Sequence, residues 1–359
     1  MRRRHDARGF ALAAVLWLLA GLAVVVASVS RVTLTSAQRV AQLRQRADFV
    51  QSAYGTRAHL LYWLSGTGTD GNSFTDDVQR VRADGIDYQA QPGSTVRLQD
   101  TGGLLTLNAP PRALLANYLA SCGVESGRIA GLLDTLEDYT DADDLVRTQG
   151  AEREEYAARS LPPPRNAPLL SVSEVWRVMD WSAVRPVLEA HRCEQGLTAE
   201  PALGATINLA TAPPPVLRAA GVPEDVIRNL DDQGRDDPVA LQATLSRLIA
   251  AAGRIDELGA APAVLRTLRV IHRQADGGPW RLEYTLRLTP DTEGRPWQIV
   301  EPDLRALASE AQAAAPPVDS AAAPSADPSG TPPAAARILP WPDAAPAHQI
   351  SHVKKLFSF

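Results

Sequence analysis

From Phe10 to Ser30 the chain reads FALAAVLWLLAGLAVVVASVS, without one charge. At about 1.5 Å of rise per residue this run makes about 30 Å of helix, the thickness of a bilayer's hydrocarbon core. It follows a head, MRRRHDARG, in which Arg2, Arg3, Arg4 and Arg8 precede Gly9. The positive-inside bias therefore places the head in the cytoplasm and the remaining chain across the membrane. A secretory signal has a shorter apolar stretch, of about 7 to 15 residues, before its cleavage site. Here Arg31 instead opens a helical pattern: Val40, Leu43, Ala47, Val50, Tyr54, Ala58 and Leu61 recur at steps of three and four, one stripe of a helix. No proline stands between Phe10 and Leu64, which predicts one rod of about 80 Å, half in lipid and half in water. Gly66-Thr67-Gly68-Thr69-Asp70-Gly71 then stops it, because glycine is entropically costly in a helix and reaches positive φ. The same residues spell G-x-G-x-x-G, but a dinucleotide fingerprint follows a strand and opens a helix, and this one follows a helix.

Beyond the stem the period changes. Ile86 to Ala90, Thr95 to Gln99 and Leu104 to Leu107 read as short strands between Gly and Pro turns. Helical patterning then runs from Pro111 to Leu268, and strand character returns at Trp280 to Leu288 and Trp297 to Val300. Helices thus interrupt an antiparallel sheet. Within the helical block Leu107-Asn108-Ala109-Pro110-Pro111, Leu114 and Gly123-Val124 parallel Ile207-Asn208, Ala212-Pro213, Leu217 and Gly221-Val222. Each copy reads as a helix-hairpin-helix, with proline starting the first helix and glycine permitting the turn.

An apolar N-terminal helix leaving the membrane as an amphipathic stem, behind an Arg-rich leader ending in glycine, resembles the type IV pilin and type II secretion pseudopilin class. The resemblance implies that prepilin peptidase cuts between Gly9 and Phe10 and methylates Phe10 as the mature N-terminus. Most members carry glutamate at the fifth mature position, where it neutralises a neighbouring subunit's N-terminal amine in the filament core. This chain has Ala14 there. A buried, unpaired ammonium is costly, so a subunit without the carboxylate fits a filament tip, with nothing above it. Asp138-Tyr139-Thr140-Asp141-Ala142-Asp143-Asp144, Gly150-Ala151-Glu152 with Tyr156, Asn166-Ala167-Pro168-Leu169, and Ser171-Val172-Ser173-Glu174-Val175 resemble the signature of the general secretion pathway protein K family. Tyr139 and Val175 stand where that family has tryptophan and leucine, and Ala210 where it usually shows a second asparagine. The resemblance covers residues 1 to 303.

Asp138, Asp141, Asp143 and Asp144 lie within one short stretch, and Glu152, Glu154 and Glu155 follow a loop later. Such carboxylates repel one another unless solvated or bridged by a cation. Calcium, with six to eight oxygen ligands at loose geometry, suits them, since no Cys or His lies nearby to favour zinc. The EF-hand template fails, because Val146 stands where its glycine is required. The resemblance implies calcium in the helical domain, with Asp138, Asp141, Asp143 and Glu152 as candidate ligands. A solvated acidic helix end accounts for the same residues without an ion.

Charge and chemistry narrow the function. With 36 Lys plus Arg against 41 Asp plus Glu the net charge is -5, and the Gly-Val turns are followed by Glu125 and by Pro223-Glu224-Asp225 rather than by the clustered cations that nucleic-acid binding draws on. His5, His59, His191, His272, His348 and His352 are scattered, with no H-E-x-x-H, G-x-S-x-G or Walker loop, and Ser351-His352-Val353-Lys354 lacks the companions of an S-x-x-K site. No enzyme is expected. Cys122 and Cys193 either pair or are separate core residues. Ala306 to Pro346 is rich in Ala, Pro and Ser, a composition too poor in apolar surface to order itself, and the chain closes on the basic, aromatic HVKKLFSF.

The expected α+β fold is a leader (1–9), transmembrane helix (10–30), stem helix (31–65), pilin-like antiparallel body (66–107 and 271–303), an inserted all-α domain with two helix-hairpin-helix-like repeats (108–270), and a structureless tail (304–359). The resemblance implies a single-pass inner-membrane minor pseudopilin with a periplasmic C-terminal domain. Its partners would be I-type and J-type minor pseudopilins, the major pseudopilin and prepilin peptidase, with no nucleic acid. The competing expectation is a membrane-tethered helix-hairpin-helix protein that holds DNA.

Overall fold

The apolar run and the stem form one uninterrupted helix, α1 (Arg8–Leu64), in a computed structural model of the chain. The structure describes residues 8–76, 80–91, 94–200, 207–230, 235–252, 258–259, 265–274, 278–289, 294, 296–306 and 337–339. The leader before Arg8 and the basic, aromatic terminus lie outside them. Two compact units divide the chain, residues 1–55 and residues 56–359. In the first, Val15 to Leu34 expose their side chains, Trp17 by 81%, and this helix is long and apolar enough to cross a membrane. The hydroxyls of Ser28 and Thr33 donate to the carbonyls of Val24 and Val29 at 2.8 and 2.9 Å, so each is satisfied within the helix. Of the stripe read from the sequence, Leu61 is buried, whereas Val40, Leu43 and Tyr54 are exposed. In the second unit the covered face of the helix is Thr56, Leu60, Leu61 and Leu64.

Past the glycine stop come three short strands, β1 (Gly68–Thr69), β2 (Ser73–Thr75) and β3 (Arg80–Arg82), paired antiparallel in that order. The sequence reading contains none of them; they are too brief for alternation to register. The main body strands follow: β4 (Asp84–Gln91) and β5 (Ser94–Asp100) as a hairpin. The chain then leaves as β6 (Leu105–Thr106) and the helices α2 (Arg112–Ser121), α3 (Ser126–Thr140), α4 (Arg153–Ala158) and α5 (Arg185–Ala190). It continues through β7 (Leu197–Thr198), β8 (Ile207–Asn208), α6 (Pro214–Ala219), α7 (Glu224–Asn229), α8 (Pro238–Ala252) and β9 (Leu258–Gly259). It returns to the body as β10 (Thr267–Gln274), β11 (Trp280–Arg287) and β12 (Gln298–Ala306). A last strand, β13 (Arg337–Ile338), runs parallel to β4.

Among the described residues the body is a six-stranded sheet in the order β12-β11-β10-β5-β4-β13. β5 pairs antiparallel with β10 from Ser94↔Gln274 to Asp100↔Leu268, so the insert leaves and re-enters at adjacent strand ends. One face carries Val96, Leu98, Leu268, Val270, His272, Leu282, Tyr284 and Leu286, all buried, as the two-residue period of a half-buried strand requires. The Arg57 guanidinium lies 5.9 Å from the centre of the Tyr284 ring, which sets the end of α1 against this face. On the edge strand β12, Glu301 and Pro302 bulge between the pairs Glu283↔Asp303 and Thr285↔Val300, where a proline without an N–H is tolerated.

Three boundaries differ from the sequence reading. Residues 267–270, read as the end of the helical block, begin β10, whose alternation is masked by the added apolar Ile271. Residues 304–306, read as tail, end β12, and residues 337–339 of that tail are folded, Leu339 being 2% exposed. The insert has one contiguous core from Leu105 to Leu245. At its centre Trp181 is fully buried and donates its indole N–H to the Leu132 carbonyl at 2.8 Å. Cys122 and Cys193 form a disulfide across 71 residues of sequence, resolving the pair that the sequence leaves open.

Two measurements test this packing. Closing a loop of that length removes about 4 kcal/mol of denatured-state entropy, so Cys122→Ser with Cys193→Ser should unfold at markedly lower urea, while a change under about 0.5 kcal/mol would deny the bridge a structural role. Burial, and then the charge of Arg57, press His272 down to about 3, against an ordinary value near 6.5. The folded protein therefore keeps this ring neutral while the unfolded chain protonates it below about pH 6.5. Its contribution is present above that pH and is lost as pH falls toward 3, with a slope of up to about 1.4 kcal/mol per pH unit. Urea titrations at several pH values on native protein and His272→Gln should show the slope flattened in the variant.

Candidate functional site

The acidic loop after α3 is built around one arginine. Asp138, in the last turn of α3, is fully buried, and Arg147 meets its Oδ1 at 2.6 Å through the guanidinium and its Oδ2 at 3.2 Å through the backbone N–H. The same guanidinium reaches Asp141 Oδ2 at 2.6 Å and Glu137 Oε2 at 2.9 Å. Gly150 makes this loop possible by close approach: a Cβ there would stand 1.8 Å from Asp138 Oδ2. The chain then starts α4 on a capping box: the backbone N–H of Glu152 donates to Glu155 at 2.9 Å, and the Glu152 side chain turns back to the Glu155 backbone N–H. Asn166, held at φ 50°, closes the loop from outside by donating its amide to the Asp143 carbonyl and to Asp144 Oδ1 at 2.8 and 2.9 Å.

Buried oxygen atoms without full donors occur at three residues in and around this loop. Glu152 is 2% exposed, and beyond its capping contact with the Glu155 backbone neither of its carboxylate oxygens has a hydrogen-bond partner. Asp141 Oδ1 and Asn166 Oδ1 are also buried without a partner. Burial first, and then the charges of Asp138, Asp141, Asp144 and Asp143, push Glu152 up to about 7. Hard oxygen donors with no competing nitrogen or sulfur are the donor set that calcium takes, and orphaned acceptors in a negative pocket are what a bound cation would satisfy. Among the described residues no three acidic, histidine or cysteine side chains stand together as a metal cage does, because Arg147 occupies the space between Asp138 and Asp141.

Of the four candidate ligands, the structure thus joins Asp138 and Asp141 through Arg147 and sets Glu152 in their field. It spends one oxygen of Asp143 on the Leu145 N–H at 2.9 Å and leaves that side chain exposed. Sequence reasoning missed Arg147, a cation inside the acidic run, and Asn166 as a donor; the arginine's place in the run was the available signal. Gly9 and Phe10, the candidate processing pair, lie in the first turns of α1. Ser351 to Lys354 lie outside the described residues.

The two Gly-Val turns have matching geometry. Gly123 and Gly221 take φ of +84° and +82°, a conformation L side chains resist. The next N–H reaches back five residues in each, Val124 to the Leu119 carbonyl and Val222 to the Leu217 carbonyl, both at 3.0 Å, closing a Schellman turn. At the second turn Arg218 pairs with Glu224 at 2.9 and 3.0 Å, and the first turn of α7 is acidic. Asn108 and Asn208 precede the two hairpins and anchor them differently. Asn108 bonds Leu169 and Ala199, while Asn208 donates to the Gly71 carbonyl and to Asp100 Oδ2 at 3.0 and 2.9 Å.

Residues 96–186 match the family model described as Type II secretion system (T2SS), protein K, which bears out the resemblance carried by the motifs from Asp138 to Val175. A chain of the solved GspK-GspI-GspJ complex from the enterotoxigenic Escherichia coli Type 2 Secretion System is similar to this one at 15% identity and a TM-score of 0.45, over 75% of this chain and 98% of that one. No curated protein matches the chain.

The loop makes a direct prediction. Arg147→Ala leaves buried Asp138 without its counter-ion, at a cost of about 2 kcal/mol once the arginine's partial exposure is allowed for, and Gly150→Ala forces a methyl group into Asp138, at about 1 to 3 kcal/mol. Both should lower the thermal midpoint, while Arg153→Ala, on the exposed start of α4, should leave it unchanged. Equal midpoints for all three would remove the loop from the list of stabilising features.

Proposed function

We propose that this chain, whose residues 96–186 match the protein K family model, is a minor pseudopilin of a type II secretion apparatus that starts or caps the pseudopilus at its tip. One observation carries the reading: the match to the protein K family model lies downstream of an apolar helix long enough to span a bilayer. The work is structural rather than catalytic. Phe10 to Ser30 anchors the chain in the inner membrane and packs against neighbouring stems in the filament. The rest lies in the periplasm, an oxidising compartment in keeping with the Cys122–Cys193 disulfide. Prepilin peptidase cuts between Gly9 and Phe10 and methylates the new terminus.

Tip placement follows from electrostatics. A subunit whose fifth mature residue is Ala14 offers no carboxylate to the ammonium of a neighbour above it, so a chain stacked there would bury an unpaired charge. The wide helical insert adds a steric stop of the same sense. Below it the chain associates with I-type and J-type minor pseudopilins, which join the major pseudopilin shaft. Calcium belongs to this reading as a structural ion: Glu152, Asp141, Asp138 and Asn166 would hold it, supplying the positive charge that the orphaned oxygens lack. Asp143 would take part through its remaining carboxylate oxygen.

Three experiments test these statements. Mass spectrometry of the protein from cells with and without prepilin peptidase should find the mature start at Phe10, methylated, only when the enzyme is present; an N-terminus elsewhere in both strains sinks the reading. Immunogold labelling of intact filaments should mark one end, and label distributed along the shaft rejects the capping role. Titration calorimetry should give a heat of calcium binding that Glu152→Gln removes. At a hundred-fold excess over the dissociation constant the ion should add about 2.7 kcal/mol of stability, seen as a rise of several degrees in the melting midpoint. Silence at millimolar calcium rejects the ion, and salt-sensitive micromolar binding of DNA in a filter assay would favour the competing reading.

A further inference from the structure

The outer edge of β4 is covered by a piece of the chain's own C-terminal segment. Arg337 lies opposite Tyr88 and Ile338 opposite Gln89 in parallel register, and the Leu339 N–H donates to the Gln89 carbonyl at 2.8 Å. This strand departs from the rest of the sheet in three ways. It is parallel where the other pairings of that sheet are antiparallel. It contributes only two paired residues before Leu339 and Pro340 end it. It is also separated in sequence from β12 by residues 307–336.

Two side chains give the contact its specificity. Arg337 grips Asp236 with both terminal nitrogens, at 2.7 Å to Oδ1 and 2.8 Å to Oδ2, the forked geometry a guanidinium makes with a carboxylate. Asp236 is fixed for this purpose, since Arg82, itself buried and paired with Asp84, reaches Asp236 Oδ1 at 3.0 Å. Leu339, two residues on and therefore on the same side of the strand as Arg337, is 2% exposed. A strand edge offers rows of unpaired N–H and C=O groups to any extended peptide, and such sites read alternate side chains through pockets.

We propose that the β4 edge is a peptide-docking site for an extended segment bearing a cation followed, two residues later, by a branched apolar side chain, and that Arg337–Leu339 is its resident, intramolecular ligand. The tether holds this ligand at high effective concentration, which keeps the edge closed to other strands. With so few backbone bonds, the segment is displaceable without unfolding the sheet. The site lies wholly within residues 56–359 and stands independently of the secretion reading.

The test uses the full chain in detergent micelles and a fluorescent peptide of residues 333–343, PAAARILPWPD. Arg337→Ala with Leu339→Asp should vacate the edge, and this variant should bind the peptide at least ten-fold more tightly than the native chain, in which the resident segment competes. Replacing the peptide's arginine by glutamate, or Asp236 by asparagine in the variant, should weaken binding ten-fold or more. Absence of binding to a variant whose near-ultraviolet dichroism is native, or equal binding by native and variant chains, overturns the proposal. Hydrogen exchange on the native chain decides the matter even if the variant misfolds: the Leu339 amide should be protected at least ten-fold over an unstructured peptide, and exchange at the free-peptide rate overturns it.

Discussion

The pairing of β5 with β10 is the constraint on which the second unit depends. These strands come from opposite ends of a long insertion, yet they lie side by side at the middle of the sheet. Neither half-sheet has a complete apolar face without the other, since Val96 and Leu98 come from the first and Val270, Leu282 and Tyr284 from the second. The seam is locked where the insert departs. Asp100, 3% exposed, accepts from Asn208 and Thr211 at 2.9 and 2.8 Å through Oδ2 and from the Gly102 N–H at 3.1 Å through Oδ1. Burial raises the pKa of that carboxyl against the pull of these donors. One residue therefore ties the last position of β5 to the second hairpin, so the insert and the sheet are mechanically one body although their apolar cores are distinct.

The insert meets this demand by being well braced. Its two hairpins use the same turn, and α2 approaches α6 with Asn117 donating to the Ala219 carbonyl at 3.4 Å. The disulfide joins the end of α2 to the segment that leads back toward the sheet, and Tyr118 adds a hydrogen bond to the Cys193 carbonyl. Parallel two-residue ladders, β6 with β7 and β8 with β9, close the two halves of the insert on themselves. A domain so stapled is cross-linked both covalently and by backbone pairing.

What the sequence made legible follows the strength of each local signal. The apolar helix, the glycine stop, the alternating strands β5 and β11 and the interruption of sheet by helices are all written in periodicity, and the protein K motifs in spacing. The stem stripe was misread because Tyr54 and Leu43 are apolar without being covered; helical period alone does not say which face finds a partner. β10 was obscured by Arg269, Ile271 and Arg273 alternating against Val270 and His272: this second face mixes charge with a buried isoleucine because Arg269 turns to the insert's Gln195 and Leu197 carbonyls. Leu339 escaped because an edge position is fixed by a tertiary pairing with Gln89, and composition carries no trace of it. In the acidic loop the carboxylates were legible, whereas the guanidinium among them became meaningful only in three dimensions.

That loop is best understood by comparison with the other buried acids. Asp84 Oδ2 faces two guanidinium groups, from Arg82 and Arg235. Asp134 takes Arg112 on one oxygen and the Gln149 N–H, at 2.9 Å, on the other. Asp138 has Arg147 on both. A fold that supplies a donor to each of these, and places 36 basic residues along its length, does not lack the means to satisfy one more carboxylate. Glu152, whose two buried oxygens meet no side-chain donor and only the Glu155 backbone of their capping box, is therefore the anomaly. An uncompensated charge in such surroundings costs several kcal/mol. The group either carries a proton, as the push toward about 7 permits, or meets a positive charge that no side chain of the loop provides. Asp141 and Asn166 each turn a second orphaned oxygen into the same loop, and a proton on Glu152 satisfies neither of them. Under the calcium proposal, a cation would answer the acceptors that a proton on Glu152 leaves unmet.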